Sequence, residues 1–165
     1  MTEAIILNDQ QIRDKIRRMA FQILESHSNA TKIIIAGIAE GGFALARLIA
    51  DQISRHDSIE VCLCEVNIDK NNPQNKISTS LKPIDYQNEH IILVDDVLNS
   101  GTTLIYSVRH FLDVPVKQFK TAVLVDRSHK KYPVKADFKG ISLSTSIQET
   151  VEVELNGPNF KAVLK

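Results

Sequence analysis

The stretch Val94-Asp95-Asp96-Val97-Leu98-Asn99-Ser100-Gly101-Thr102-Thr103 decides how this chain is read. It continues the apolar run from His90, so a strand predicted over 90–94 delivers two adjacent carboxylates at its end. A strand apolar on both sides belongs to a sheet covered on both faces, and ligands of open parallel sheets gather at the carboxyl ends of the strands. Two acids at that place suit two tasks: accepting hydrogen bonds from a vicinal diol, and holding Mg²⁺ through its water shell. Asn99 to Thr103 then lead into a helix predicted over 102–112. A helix N-terminus offers unpaired N–H groups and a partial positive charge to a phosphate. Gly101 lets the backbone approach closely, and Ser100, Thr102 and Thr103 add hydroxyl donors. A diol reader beside a phosphate cradle describes a ribose 5-phosphate site.

Two other phosphate-binding patterns fail on spacing. Gly37 to Gly42 is followed by Phe43-Ala44, where a nucleoside-triphosphatase loop needs Lys and Ser or Thr. The same stretch lacks the second glycine of a dinucleotide fingerprint.

Upstream, Ile12, Ile16, Met19, Ala20, Ile23 and Leu24 recur at helical spacing and predict a helix over 9–26, capped by Asn8 or Asp9. A β-branched strand is predicted over 32–38, a helix over 42–55 and a strand over 59–66. From Asn67 to Asn88 apolar residues are isolated among Asn, Lys, Ser, Pro and Gln, the texture of a lid or binding loop. Downstream, residues 120–125 predict another apolar strand. Residues 151–155, the turn Asn156-Gly157-Pro158 and residues 160–164 predict a hairpin. Strands alternating with helices imply an α/β fold with a mostly parallel sheet and right-handed crossovers.

The bulk numbers agree. A chain of 165 residues reads as one domain, 1–165, and its 43% apolar content is that of a globular protein. Zero formal net charge gives no global attraction to nucleic acid or to an anionic membrane. No apolar run approaches the roughly 20 residues that span a bilayer. The first residues lack the basic start of a signal peptide, and Cys62 and Cys64 read as buried thiols on one face of a strand. A reducing cytoplasm is the expected location.

Residues 95–103 resemble the phosphoribosyl pyrophosphate (PRPP) motif of type I phosphoribosyltransferases. Beyond it, Ile6 to Arg13, Leu45 to Ala50, Ala122 to Lys130, Pro133, Ala136-Asp137-Phe138 and Val151 to Leu155 are similar to the pyrimidine operon attenuator and uracil phosphoribosyltransferase family, PyrR. The resemblance implies a mostly parallel twisted sheet flanked by helices, with a small hood and the C-terminal β-hairpin. It implies transfer of the 5-phosphoribosyl group of PRPP to a nucleobase, uracil favoured, with release of pyrophosphate and with Mg²⁺ as cofactor. On the same ground Asp95 and Asp96 hold the ribose hydroxyls and the metal. Asn99, Ser100, Gly101, Thr102 and Thr103 hold the 5-phosphate. Ala39, Glu40, Gly41 and Gly42 form the pyrophosphate loop, residues 67–85 the lid, and Asp126 and Arg127 lie near the base.

The chain departs from the family pattern in two places. Relatives usually carry Thr-Arg-Gly in the pyrophosphate loop; here Glu40-Gly41-Gly42 removes an arginine and adds a carboxylate, which opposes pyrophosphate unless a metal intervenes. The lid offers Asp69 and Lys70, then Lys76 and Lys82, in place of Tyr-Arg-Asp-Asp. Asn99 stands where 6-oxopurine enzymes of this fold carry an aspartate, and an amide is no carboxylate base, which argues against hypoxanthine or guanine. The family also implies an RNA-binding regulator as the alternative function. Its candidate contacts are Arg13, Lys15, Arg17 and Arg18 on the first helix, and Lys130, Lys131, Lys135 and Lys139. A catalytically idle nucleotide binder is the remaining alternative. A homo-oligomer is expected, with the apolar residues of the tail hairpin as candidate contacts.

Overall fold

The computed structural model describes residues 3–165. Its strands and helices are β1 (Ala4–Leu7), α1 (Asp9–Ser26), β2 (Lys32–Ile38), α2 (Gly41–His56), β3 (Glu60–Asn67), β4 (Ser78–Thr79), α3 (Pro83–Tyr86), β5 (His90–Leu98), α4 (Thr102–Phe111), β6 (Gln118–Asp126), β7 (Phe138–Ser142), β8 (Val151–Glu154) and β9 (Lys161–Leu164). Six strands form the main sheet in the order β4-β3-β2-β5-β6-β7. All its pairings are parallel except the short antiparallel β3–β4 edge. The other three make a small antiparallel sheet, β1-β9-β8, the hood.

The central strands are apolar on both sides because both sides are covered. Ile33, Ile35, Ile92 and Val94 pack with α1 and α2, whereas Ile34, Ala36, Ile91 and Leu93 pack with Tyr86, Leu104 and Phe111 of α3 and α4. The helical stripe of α1 is the expected one: Ile12, Ile16, Met19, Ala20 and Ile23 are all buried. Each large side chain so buried contributes about 1.5–3 kcal/mol of transfer free energy. Asn8, not Asp9, caps this helix. Its carboxamide accepts the Gln11 N–H at 2.9 Å, and Gln11 Oε1 accepts the Asn8 N–H at 2.9 Å. Asp9 instead accepts the Phe160 N–H at 2.8 Å and fastens the tail to the first helical turn.

Four expectations change. β1 was not foreseen, since a strand of four residues is specified by pairing with β9 at the far end of the chain. The stretch 67–88 is only partly open: β4 pairs with β3, and Tyr86 is buried with its ring 4.9 Å from that of Phe111. The tail hairpin does not expose its apolar residues; Val151, Leu155, Phe160 and Ala162 belong to the core. Of the two thiols, Cys64 is buried but Cys62 only half-buried, β3 being next to the sheet edge.

Candidate functional site

β5 does not stop at Val94. Its ladder with β6 runs on through Val97↔Val125 to Leu98↔Asp126, so Asp95 and Asp96 lie inside the strand. Alternation then sends the two carboxylates to opposite faces of the sheet. Asp95 is on the α4 side, where its Oδ2 accepts the Thr103 hydroxyl at 3.3 Å. Asp96 is on the α2 side, against Gly41. Backbone amides support both: Asp95 Oδ1 accepts the Asp96 N–H at 2.9 Å, and Asp96 Oδ1 accepts the Val97 N–H at 2.8 Å.

Asp95 is only 3% exposed. Burial, with the charge of Asp96 beside it, pushes its carboxyl up to about 8, while Lys70 pulls the other way. A cation bound beside Asp95 would favour its ionised form.

The turn from β5 to α4 is the predicted phosphate cradle. Gly101 has φ +86°, which favours glycine, and a Cβ there would lie 2.5 Å from Val134 Cγ2. Ser100 and Thr102 hydroxyls are 2.8 Å apart, and the Lys131 N–H donates to Ser100 O at 2.7 Å, tying the segment after β6 to the cradle. Asp95, Asp96, the whole run from Asn99 to Thr103 and Arg127 line one cavity of about 730 Å³. Lys70 and Asn71 form one wall and Thr150 to Glu154 of the hood another. The hood wall was not foreseen; only the tertiary fold brings β8 over the end of β5.

The predicted pyrophosphate loop, Ala39 to Gly42, borders the same acids without lining the cavity. Gly42 packs on the backbone of β5, where a Cβ would lie 2.5 Å from Val94 O, and a Cβ on Gly41 would overlap the Asp96 carboxylate.

Asp126 and Arg127 separate. Asp126 is buried away from the cavity, accepting the Ser128 N–H at 3.0 Å and facing Lys130 at 3.7 Å and Lys139 at 3.9 Å. Arg127, 4% exposed, spends its donors on protein. It reaches Thr145 Oγ1 at 2.9 and 3.0 Å, Ser146 O at 3.2 Å, Glu149 O at 2.5 Å and Asn99 Oδ1 at 3.3 Å. It thus clamps the segment before β8 onto the cradle, helped by His129 Nε2 lying 2.6 Å from Thr145 O.

Residues 3–156 match the phosphoribosyl transferase domain, nearly the whole chain. The chain belongs to the type I phosphoribosyltransferase family. A bifunctional protein PyrR of Bacillus cereus is 31% identical over 163 aligned positions, covering 93% of this phosphoribosyltransferase chain and 91% of the relative. Among solved structures, a hypoxanthine-guanine phosphoribosyltransferase of Bacillus anthracis superposes with a TM-score of 0.70 at 20% identity, covering 85% of this chain and 82% of that one. The hypoxanthine phosphoribosyltransferase of Trypanosoma cruzi gives 0.73 at 17% identity, covering 84% and 81%. At such identities these structures show the fold alone, and the fold is the expected one: a mostly parallel sheet flanked by helices. No helix among the described residues is long and apolar enough to cross a membrane.

Proposed function

We propose that residues 1–165 act as one phosphoribosyltransferase domain that transfers the 5-phosphoribosyl group of PRPP to a nucleobase, uracil favoured, and releases pyrophosphate. One observation carries this reading: Thr103, in the first turn of α4, donates to buried Asp95 inside a cavity that also holds Asp96 and the Ser100–Thr103 turn. A ribose 5-phosphate seated there has its phosphate at the helix N-terminus and its hydroxyls at the acids. As the bond at C1 breaks, positive charge develops on the sugar, and preorganised carboxylates stabilise it without reorganising. The hood and the 68–77 loop keep water from the reacting carbon.

Mg²⁺ fits the site. Burial and Asp96 raise Asp95 with only Lys70 opposing, so a further cation would be favourable there, and no cluster of three or more metal-ligating side chains exists among the described residues. Mg²⁺ is commonly held by one or two carboxylates together with substrate oxygens and water, which is what Asp95 and Asp96 allow. Bound there, it would neutralise charge on the leaving pyrophosphate. Uracil is favoured by the PyrR resemblance and by Asn99, whose amide holds no proton-accepting carboxylate for a purine ring. Self-association and a cytoplasmic location belong to the same reading.

A turnover panel tests it: PRPP, Mg²⁺ and each of uracil, orotate, adenine, guanine, hypoxanthine and xanthine, with nucleotide detected by chromatography. The expected product is uridine monophosphate; no nucleotide from any base refutes the transferase reading.

A second reading, RNA binding, has one observation in its favour. Arg18 donates to Gly140 O at 2.7 Å and to Lys139 O at 3.2 Å, which brings the basic residues of α1 beside those of β7. Lys139, Lys130 and Lys135 are paired with carboxylates, so Lys15, Arg17 and Lys131 carry the idea. A filter-binding titration with single-stranded RNA at two salt concentrations decides it, since phosphate contacts weaken steeply with salt.

A further inference from the structure

The tail hairpin buries its apolar residues, but the sheet leaves others uncovered at its opposite end. β3 is next to the sheet edge, and β4 pairs with it only at Val66 and Asn67. Val61 and Leu63 stand beside Ile33 and Ile35 of β2, so they point to the side of the sheet on which α2 lies. α2 does not bury them: Leu63 is 37% exposed and Val61 half-buried. With Ala44 and Leu48 of α2 and Leu155 after β8, they line a groove of about 690 Å³.

Arg47 and Asp51 line the same groove. Ala44, Arg47, Leu48 and Asp51 follow one another at helical spacing, so the two charges flank Leu48 on one face of α2. Arg47 is exposed, and among the described residues no carboxylate pairs with it. Asp51 meets Arg55 at 3.0 Å, with both side chains more than half exposed, a pair that water holds weakly.

Opposite charges on either side of an apolar residue are complementary to themselves under a two-fold rotation. An axis that crosses this face beside Leu48, between Arg47 and Asp51, lays α2 antiparallel on its own copy. Each Arg47 then faces the partner's Asp51, and the two Leu48 side chains meet near the axis. A foreign partner would have to supply this array, whereas a second copy already carries it. The same closure shields Leu63 and the free edge of β3.

We propose that the α2–β3 face is where a second copy of this chain docks, in an isologous dimer held by two Arg47–Asp51 pairs around an apolar centre. The inference deepens the self-association stated above and is independent of which base the site takes.

Sedimentation equilibrium of the full chain tests it, from about 1 to about 100 µM. The wild type is expected to be dimeric. Arg47→Asp and Asp51→Arg are each expected to weaken association by at least about tenfold, since each sets like charges against one another twice. Mixed in equal amounts, the two variants are expected to associate again to within about threefold of wild type, because one chain then carries carboxylates at both positions and the other cations. Leu63→Ser, which changes no charge, is expected to weaken the dimer by about threefold or more. All three positions are exposed, and urea unfolding checks that each variant is folded. A wild type that stays monomeric at the highest concentration overturns the interface and the self-association together. A dimer indifferent to these variants, or charge variants that do not restore one another on mixing, overturns this face and leaves the transferase reading to the turnover panel.

Discussion

The Asp96 carboxylate fills the space that a side chain at position 41 would enter, so Gly41 and Asp96 fit each other only while residue 41 has no Cβ. The atoms in the way are the tip of a short side chain, which can turn aside. At Gly42 the obstacles are Val94 O at 2.5 Å and the Asp95 Cα at 2.9 Å, which are backbone and cannot. The two glycines should therefore fail differently. Gly42→Ala is expected to destabilise the protein by about 1–3 kcal/mol, as overpacking does. Gly41→Ala should stay within about 1 kcal/mol of wild type but bind PRPP and nucleotide more weakly, because Asp96 has moved. Urea unfolding and calorimetric titration of the same two variants check this.

Local sequence carried most of the fold and the centre of the site, for reasons visible at particular residues. The apolar run of β5 and the helical stripe of α1 are properties of neighbouring residues, so their periodicity shows them. The turn from Asn99 to Thr103 is legible for the same reason, being one contiguous stretch. What stayed hidden depends on contacts distant in sequence. β1 exists by pairing with β9, and β5 extends to Leu98 because β6 runs alongside. The hood wall at Thr150–Glu154 likewise forms by folding back. Arg127 lines the cavity, and its guanidinium also binds residues 18 to 22 positions further along. A lone Arg after a strand gives no signal of that.

Thr103 links the proposed phosphate cradle to the acid pair through its bond to Asp95. Thr103→Ala removes one donor from the cradle and one partner from Asp95. Its expected cost to folding is about 1 kcal/mol, because Thr103 is only half-buried. PRPP affinity should fall by about tenfold for Thr103→Ala and also for Asp96→Asn, with the chain still folded. If calorimetry shows both variants binding like wild type, the site is misassigned.

Arg127 holds five hydrogen bonds in a nearly fully buried position, three of them to the segment from Thr145 to Glu149 through side-chain or carbonyl oxygens on its Nη2 alone. A planar guanidinium reaches all these acceptors at once, and an ammonium cannot. Arg127→Lys should therefore lower stability by about 2–4 kcal/mol and speed amide exchange from Ser144 to Thr150, leaving exchange in α1 unchanged. Exchange measured by mass spectrometry reads the local effect. Uniform acceleration along the whole chain would refute the clamp.

His27 and Asp95 give stability opposite dependences on pH. His27 is 3% exposed, its Nδ1 lies 2.7 Å from Ile23 O, and its Nε2 has no partner. Burial holds its pKa below the usual imidazole range, with His90 and Lys120 adding to the effect and the Ile23 carbonyl opposing it. The unfolded chain then binds the extra proton first, so this contribution is present above about pH 6.5 and is lost as the pH falls below it. Asp95 is raised, to about 8, chiefly by burial. Its contribution is present below the ordinary carboxylate value and lost as the pH rises through about 8. Each slope is bounded by about 1.4 kcal/mol per pH unit. In metal-free buffer, Asp95→Asn should gain on the wild type steadily from pH 5 to pH 8, and His27→Phe should lose less than the wild type on going from pH 7 to pH 5. His110, also lowered by burial, acts with the sign of His27, so acid sensitivity shrinks in His27→Phe without vanishing. Urea unfolding across this range separates the two groups, and a wild-type-like pH profile in Asp95→Asn would show that Asp95 is already ionised in the folded chain.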